Sequence, residues 1–337
     1  MAMLHPKRWT QIFPPAPTFG EKDVGLKKGK VFIVTGGNQG VGFELCKMLR
    51  ATGATVYIAS RSQQRVDAAI EALESMEPKP EHPAVFKPLL LDLNDLNSVR
   101  TAASEFAVQE HRLDILWNNA GIGSDAVPPQ SKTAQGLEKF IGMHCVAALL
   151  FTQLLLPQLQ YAAKSSHIGS VRVIWLSSIM AESHVPAEGI DFSILAEGCP
   201  NNRRNYARSK AGNWILAHEY ARRFGAHGII SVAANPGNLK TNAFQGAPSR
   251  FMAVANCLFL YDPRFGGYTE LYAGFSPDIT PENNGAYILP FGRVQPEEQI
   301  GRPDILAKLK AEEDNLGENF WRWCEDQANT AVIKLEA

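Results

Sequence analysis

The sequence is poor in cysteine, and it lacks long apolar segments, internal repeats and an excess of charge of either sign. Its five cysteines among 337 residues include no Cys-x-x-Cys pair, so we expect neither a disulfide framework nor a metal site. The longest apolar stretch, Val146–Leu156, is too short to span a bilayer, and residues 1–20 lack the apolar core of a signal peptide. A net charge of −1 gives no electrostatic reason to expect nucleic acid or an anionic membrane as a partner. We therefore predict a cytoplasmic protein without a membrane span.

Short apolar segments rich in β-branched residues alternate with longer segments of helical periodicity. We expect strands at Val31–Thr35, Thr55–Ala59, Val85–Leu91, Leu113–Trp117, Val171–Leu176, Ile229–Ala233 and Tyr287–Pro290. We expect helices at Phe43–Ala51, Gln63–Ser75, Leu96–Val108, Ala134–Leu156 (ended by Pro157) and Asn205–Phe224. Such alternation is typical of βαβ units, whose right-handed crossovers place helices on both faces of a parallel sheet. The sequence thus predicts a single doubly wound α/β domain with a central parallel sheet of about seven strands.

Several parts of the chain depart from this alternation. We assign residues 30–300 to the α/β domain, residues 1–29 to an N-terminal extension and residues 301–337 to a helical C-terminal extension. Residues 180–204 form a polar insertion, which we expect to be a solvated loop; its charged or titratable residues are Glu182, His184, Glu188 and Asp191. Residues 241–280 are rich in aromatic side chains: Phe244, Phe251, Phe259, Tyr261, Phe265, Tyr268, Tyr272 and Phe275. These rings line an apolar pocket or pack this segment onto the domain.

A glycine-rich turn lies between the first predicted strand and the helix after it. Its sequence is Thr35-Gly36-Gly37-Asn38-Gln39-Gly40-Val41-Gly42. In that position, glycines let the backbone approach a pyrophosphate, and the helix N-terminus offers unpaired N–H groups. The second strand is followed by Ser60 and Arg61 rather than by the carboxylate that usually binds the ribose hydroxyls of NAD. A fixed cation there suits a 2′-phosphate, so the sequence favours NADPH over NADH.

Together with four later motifs, these residues resemble the short-chain dehydrogenase/reductase family across most of residues 30–241. The later motifs are Asp92, Asn118-Asn119-Ala120-Gly121, Ser177-Ser178 with Tyr206-x-x-x-Lys210, and Pro236-Gly237 with Thr241. The chain is most similar to the retinol-dehydrogenase-like branch, particularly its fungal members. The resemblance implies a Rossmann fold and a substrate loop at residues 241–280. It also implies an NADP(H) site formed by Thr35, Gly36, Asn38, Gln39, Gly40, Val41, Gly42, Arg61, Asp92, Leu93, Asn119, Ala120, Gly121, Tyr206, Lys210, Pro236, Gly237, Leu239 and Thr241.

The predicted catalytic residues are Ser178, Tyr206, Lys210 and His144. Tyr206 and Lys210 are four residues apart and share one face of a helix. A lysine ammonium near a phenol stabilises phenolate, so Tyr206 serves as general acid for ketone reduction or as general base for alcohol oxidation. The resemblance selects Ser178 over Ser177 as the hydroxyl that polarises the carbonyl, and it assigns Lys210 to the nicotinamide ribose.

His144 occupies the position where the family has a catalytic asparagine. A neutral imidazole both donates and accepts hydrogen bonds, so it is able to replace the asparagine in a proton relay. The alternative is a packed histidine that is hydrogen-bonded to the backbone. The sequence leaves both interpretations open.

The leading functional hypothesis is an NADP(H)-dependent oxidoreductase that interconverts a carbonyl and a secondary alcohol on a hydrophobic small molecule, in fungal secondary metabolism. One alternative keeps the fold but catalyses a non-redox step, and another binds the cofactor without turnover. Because family members often pair through the fourth and fifth helices, a homodimer or homotetramer also stays open. The Phe320–Trp323 cluster then covers either the sheet or a neighbouring subunit.

Overall fold

The computed structural model describes residues 9–185, 190–240, 260–313 and 315–336, with side chains up to residue 330. Within these residues, the strands are β1 (Val31–Thr35), β2 (Thr55–Ser60), β3 (Val85–Leu90), β4 (Ile115–Asn118), β5 (Val171–Leu176), β6 (Ile229–Ala234), β7 (Tyr287–Leu289) and β8 (Arg293–Val294). They form one sheet in the order β3-β2-β1-β4-β5-β6-β7-β8. The reversal of strand order beside β1 is where open α/β sheets bind their ligands.

The sheet is parallel except at one edge. The strands β1 to β7 pair in parallel, and β8 pairs antiparallel with β7. Every residue of β1, β4, β5 and β6 is buried, as expected for strands that are covered on both faces. The predicted parallel sheet is confirmed. The predicted number of strands missed β8, whose two residues are too few to give a hydrophobic pattern.

The helices are α1 (Gly40–Leu49), α2 (Gln63–Ser75), α3 (Leu96–Gln109), α4 (Lys139–Leu154), α5 (Leu156–Lys164), α6 (Asn202–Phe224), α7 (Pro263–Phe275), α8 (Pro303–Lys310) and α9 (Leu316–Glu336). Short helical turns lie at Trp9–Ile12, Glu21–Val24 and Met180–Ser183. Side chains cap four of the long helices by accepting hydrogen bonds from first-turn N–H groups: Ser62, Asp95, Asn201 and Asp262. These caps fix where α2, α3, α6 and α7 begin.

Two apolar clusters cover the two faces of the sheet. On one face, residues of α3 to α6 pack together with residues of α8 and α9. On the other face, residues of α1, α2 and α7 pack against the strands. The doubly wound α/β fold is therefore confirmed. Phe320 and Trp321 of α9 are buried within this chain, so the C-terminal aromatic cluster covers α6 of its own subunit.

The single long helix predicted over Ala134–Leu156 is wrong at both ends. The chain enters α4 at Lys139, widens into a π-helical turn over Gly142–Ala147 and breaks at Leu155. Pro157 does not end the helical region, because it lies in the first turn of α5. A proline is tolerated there since first-turn N–H groups have no intrahelical acceptor.

No single helix within the described ranges is both long and apolar enough to cross a membrane. The pair α4 and α5 meets the length and composition criteria only when the two helices are taken together. They are bent by 52° relative to each other.

Candidate active site

The glycine-rich turn joins the carboxyl end of β1 to the N-terminus of α1. Gly36 and Gly40 have φ values of 69° and 57°, a region that favours glycine. A Cβ built at Gly42 would lie 2.5 Å from Asn119 Nδ2 and 2.7 Å from the Gly36 carbonyl oxygen, whereas one at Gly40 would meet nothing within 4 Å. Gln39, the N-cap of α1, makes no side-chain capping bond. The backbone N–H groups at this exposed helix end fit a dinucleotide pyrophosphate.

Thr35 and Asn119 hold the shape of this turn. Asn119 Nδ2 donates to the Thr35 carbonyl oxygen at 2.6 Å. The Thr35 hydroxyl donates to the Trp117 carbonyl oxygen at 3.0 Å and accepts from the Ala120 N–H at 2.9 Å. Both side chains are therefore engaged within the protein, and they join the turn after β1 to the turn after β4.

Three charged side chains lie close together beyond β2 and β3. Arg61 is exposed and forms no ion pair with the described residues. Burial lowers the pKa of Lys139, and the nearby Arg61 lowers it further, whereas Asp92 raises it. Asp92 also accepts a hydrogen bond from the Asn94 N–H at 2.9 Å. Lys139 is a second cation near Arg61 that the sequence analysis missed, because 78 residues separate it from Arg61 and no motif marks it.

Ser178, Tyr206 and Lys210 meet at the carboxyl end of β5. The Tyr206 side chain lies close enough to that of Ser178 for Ser178 to lower its pKa, and Lys210 Nζ lies 5.7 Å from the centre of the Tyr206 ring. Lys210 Nζ donates to the Leu176 carbonyl oxygen at 2.8 Å. The Ser177 hydroxyl instead donates to the backbone of Lys210, so Ser178 is the serine that is available at the site.

Burial shifts the pKa values of this tyrosine and lysine in opposite directions. It raises the pKa of Tyr206 to about 12, against a lowering by the hydrogen bond from Ser178. It lowers the pKa of Lys210 to about 8. Both shifts follow because burial disfavours the charged form of each group. Near neutral pH, the site therefore contains a phenol that is able to donate a proton and a lysine that is mostly charged.

His144 lies in the π-helical turn of α4 and is 2% exposed. Its Nε2 accepts from the Ile122 N–H at 3.1 Å, so Nδ1 carries the proton and donates to Ser209 Oγ at 2.8 Å. Burial, reinforced by the charge of Lys210, lowers the pKa of His144 well below its usual value. A Cβ built at Gly121 would lie 3.1 Å from His144 Nε2 and 3.5 Å from Lys210 Nζ. The imidazole is neutral and fixes the segment that follows Asn119.

The segment after β6 forms the opposite side of the site. Asn235 Oδ1 accepts from the Gly237 N–H at 3.1 Å, and Gly237 has a φ of 93°. Leu239 is buried and bridges to Tyr261. A Cβ at Gly266 would lie 2.4 Å from Leu239 and 2.9 Å from Val41, so α7 touches both sides of the predicted cofactor site. Thr241 lies outside the described residues.

The described aromatic residues of the 241–280 segment mainly pack within the protein. Tyr261 and Phe265 contact Phe291 at centroid distances of 5.1 and 4.7 Å. Phe275 packs between Phe32 and Trp117, and Tyr272 is buried. These contacts favour the packing interpretation for this part. Phe244, Phe251 and Phe259 lie outside the described residues.

The solvated loop expected over residues 180–204 is wrong for Glu182. Its side chain is 3% exposed because it lies in the short helix Met180–Ser183, where it accepts from Gln11 Nε2 at 3.2 Å. His184 and Asp191 are exposed, as expected. Glu188 lies outside the described residues.

A family model and several known proteins are similar to this chain. A family model described as short chain dehydrogenase matches residues 30–190. The short-chain dehydrogenase/reductase iacJ of Pestalotiopsis fici is 48% identical over 319 residues, which cover 94% of this chain and 96% of that protein. A putative uncharacterized protein from Mycobacterium paratuberculosis aligns with a TM-score of 0.64 and 25% identity over 92% of this chain and 97% of that one. NADPH-bound carbonyl reductase from chicken fatty liver aligns with a TM-score of 0.56 and 22% identity over 78% and 96% of the two chains, and shows the shared fold.

A doubly wound sheet with a glycine turn and a tyrosine–lysine pair at its carboxyl edge defines an oxidoreductase that acts on CH–OH groups. The match to iacJ, at 48% identity over 94% of this chain, then identifies the family. The chain belongs to the short-chain dehydrogenase/reductase family.

Proposed function

We propose that this protein is an NADPH-dependent reductase/dehydrogenase that interconverts a carbonyl and a secondary alcohol on a hydrophobic small molecule. The observation that carries the proposal is that Tyr206 lies beside both the Ser178 side chain and the Lys210 ammonium. A general acid, a hydroxyl donor and a buried cation are thus placed together. This is the set of groups that reduction of a carbonyl requires.

Each of the three side chains has a distinct role. The Ser178 hydroxyl hydrogen-bonds the carbonyl oxygen and polarises it. Tyr206 donates its phenolic proton to that oxygen during reduction and accepts a proton during oxidation. Lys210 places a positive charge 5.7 Å from the centre of the Tyr206 ring, where it stabilises the phenolate that proton donation leaves, and it binds the nicotinamide ribose. The nicotinamide, when bound, supplies or accepts the hydride.

His144 acts as a positioning residue in this proposal. Its Nε2 is occupied by the Ile122 N–H and its Nδ1 by Ser209, so the ring holds the Asn119–Ile122 turn in place beside Lys210. An asparagine amide is able to make both of these hydrogen bonds, because its oxygen accepts and its nitrogen donates. The histidine therefore substitutes for the family's asparagine as a spacer between α4 and the turn.

Two cations support a preference for NADPH. Arg61 follows β2, where an NAD site usually has a carboxylate, and Lys139 lies close enough for the two charges to interact. A 2′-phosphate at this point would gain charge-assisted hydrogen bonds. The carbonyl reductase from chicken fatty liver, which shares the fold, was solved with NADPH bound.

Apolar side chains near the reacting groups support a hydrophobic substrate. The Met180 N–H donates to Ser178 Oγ at 3.3 Å, and the Ile122 N–H donates to His144 Nε2 at 3.1 Å. Ile122 and Met180 are partly buried and adjoin the core. A role in fungal secondary metabolism and a cytoplasmic location stay predictions.

The test is a fluorescence titration with NADPH and with NADH on the wild type, Arg61→Ala and, as a matched control, Arg322→Ala. Arg322 is exposed on α9 and pairs with Glu318. We expect the wild type to bind NADPH about ten-fold or more tightly than NADH, a difference of about 1.4 kcal/mol. Arg61→Ala abolishes that preference, and Arg322→Ala retains it. Equal binding of both cofactors contradicts the NADPH preference, and binding of neither contradicts the oxidoreductase.

Turnover is tested separately with 9,10-phenanthrenequinone, a planar apolar dicarbonyl probe, and NADPH. Tyr206→Phe removes the proton donor, so we expect a loss of kcat of about 10²-fold or more with NADPH binding unchanged. Undiminished turnover in Tyr206→Phe would contradict the role of Tyr206 as proton donor. Binding of NADPH without turnover in the wild type would favour a non-redox or binding role for the fold.

A further inference from the structure

Residues Trp9–Ile12 contact the carboxyl edge of the sheet through one buried amide. Gln11 is 1% exposed and lies in a helical turn between exposed Thr10 and buried Ile12. Its Oε1 accepts from Asn235 Nδ2 at 2.8 Å, and its Nε2 donates to Glu182 Oε2 at 3.2 Å. The partners of Gln11 lie 171 and 224 residues away in the sequence. Burying a polar group without a hydrogen-bond partner costs free energy, so both bonds contribute to holding this turn in place.

The two partners of Gln11 belong to the two segments that flank the reacting groups. Glu182 lies four residues after Ser178 and also accepts from the Gly301 N–H at 3.3 Å. Asn235 follows β6 and fixes the turn at Gly237 that leads to Leu239. Gln11 therefore spans the site from the segment after β5 to the segment after β6.

Two further bonds hold the same N-terminal turn at this edge. Arg293 donates to the Thr10 carbonyl oxygen at 3.2 Å, and Tyr261 donates to the Ile12 carbonyl oxygen at 3.4 Å. Both donors bind backbone oxygens, so these two hydrogen bonds position the turn but do not depend on its side chains. Gln11 supplies the specific contact because its side-chain amide both accepts from Asn235 and donates to the Glu182 carboxylate.

We propose that Gln11 is a positioning residue for substrate binding, which closes the N-terminal turn over the site and sets the spacing between the Ser178 and Leu239 segments. The proposal rests on the proposed function. It assigns a specificity role to a part of the chain that precedes every motif of the dinucleotide site. The predicted cofactor site uses the glycine turn and Arg61 as well as Gly237 and Leu239, and Gln11 reaches only the last two, through Asn235. We therefore expect a change at Gln11 to weaken substrate binding more than cofactor binding.

The first test compares Gln11→Ala with Thr10→Ala, because the contact of Thr10 with Arg293 uses only the backbone oxygen. With 9,10-phenanthrenequinone and NADPH, we expect Gln11→Ala to raise KM about ten-fold, the effect of about 1.4 kcal/mol. The NADPH dissociation constant changes by a smaller factor than KM, and Thr10→Ala behaves like the wild type in both. An unchanged KM in Gln11→Ala overturns the proposal.

A second variant separates positioning from a general loss of stability. Gln11→Glu places a carboxyl group against Glu182, and the two must share a proton to keep the hydrogen bond. We expect its KM to approach the wild-type value at acidic pH and to rise with pH, whereas the KM of the wild type and of Thr10→Ala lacks this dependence. A KM that stays raised at every pH, or a lowered melting temperature with normal KM, overturns the positioning role.

Hydrogen exchange gives a readout without turnover. In Gln11→Ala, we expect the peptide covering residues 9–13 to exchange faster than in the wild type, with β1 amides protected equally in both. Equal exchange of residues 9–13 shows that Gln11 does not hold the turn. If the wild type neither binds NADPH nor turns over the quinone, the proposed function is overturned, and the role of Gln11 with it. If the wild type is active and Gln11→Ala has the same KM, the role of Gln11 alone is overturned.

Discussion

Two buried titratable side chains, those of His144 and Glu270, interact electrostatically with the Lys210 ammonium. Both ring nitrogens of His144 are hydrogen-bonded. Neither carboxyl oxygen of Glu270 has a hydrogen-bond partner among the described residues, and the side chain is fully buried. Burial lowers the pKa of His144 and raises the pKa of Glu270 to about 8. The folded protein favours the neutral form of both groups. Neutral His144 lacks a proton whereas neutral Glu270 carries one, so the two groups give opposite dependences of stability on pH.

His144→Asn should keep kcat within about three-fold, since an asparagine is able to accept from Ile122 and donate to Ser209. His144 stabilises the fold fully above the unfolded pKa near 6.5, and this contribution is lost as pH falls towards the depressed folded pKa. The variant should therefore lose less free energy of unfolding between pH 7 and pH 5 than the wild type. Urea unfolding at several pH values, with exposed His167→Asn as control, measures this. A large loss of kcat in a folded, cofactor-binding variant would instead indicate a direct catalytic role.

Glu270→Gln should stabilise the protein increasingly as pH rises. The raised pKa means that Glu270 contributes fully below its unfolded value near 4.5, and that this contribution is lost as pH rises through about 8. The difference in unfolding free energy between variant and wild type should grow by up to about 1.4 kcal/mol per pH unit in that window. Urea unfolding between pH 5 and pH 8, with exposed Glu71→Gln as control, measures the slope. Parallel curves for variant and wild type would contradict a protonated Glu270.

At the scale of elements, α9 packs against α6 and the π-helical turn through a glycine. A Cβ at Gly212 of α6 would lie 2.6 Å from Cys145 Sγ and 2.8 Å from Phe320 Cζ. Phe320 is fully buried and stacks on Trp323. Glu219 of α6 adds ion pairs with Arg222 and Arg223 beside the same interface. The glycine therefore allows the C-terminal helix to approach closely.

Gly212→Ala should destabilise the protein by about 1–3 kcal/mol, because overpacking in a close-packed core forces side chains apart. Alanine is the better helix former, so any loss reports steric crowding rather than helix propensity. Gly212→Ala combined with Phe320→Leu should recover part of the stability that the single variant loses. Chemical denaturation of the wild type, both single variants and the double variant gives the coupling. Additive effects would show that the two residues are not in contact.

The positions of strands and helices could be predicted where the local pattern of apolar residues determines them. The strands β1 to β6 consist mostly of apolar residues, and their predicted positions agree with the structure to within two residues at each end. The break at Leu155 and the π-helical turn around His144 could not be predicted from the sequence, because the apolar periodicity continues through both. Pro157 was a misleading signal since proline fits the first turn of a helix as well as the end of one.

At the scale of the whole molecule, the site combines predictable and unpredictable parts. The glycine turn, Ser178, Tyr206 and Lys210 occur in local motifs, so their positions follow from the sequence. Lys139 beside Arg61 and the bridge from Gln11 to Glu182 and Asn235 depend on tertiary packing between distant segments. No local propensity encodes such contacts, and the polarity of residues 180–204 predicted an exposed loop where Glu182 is buried.

The bridge made by Gln11 also bears on how this protein emerges from the ribosome. Gln11 pairs with Asn235, 224 residues later, and the Thr10 backbone pairs with Arg293, 283 residues later. At synthesis rates of about 5–20 residues per second, the N-terminal turn waits roughly 15–60 s for its partners. During that interval Ile12, which is buried in the finished protein, is available to nascent-chain chaperones. The first described segment to be translated is thus among the last to be buried.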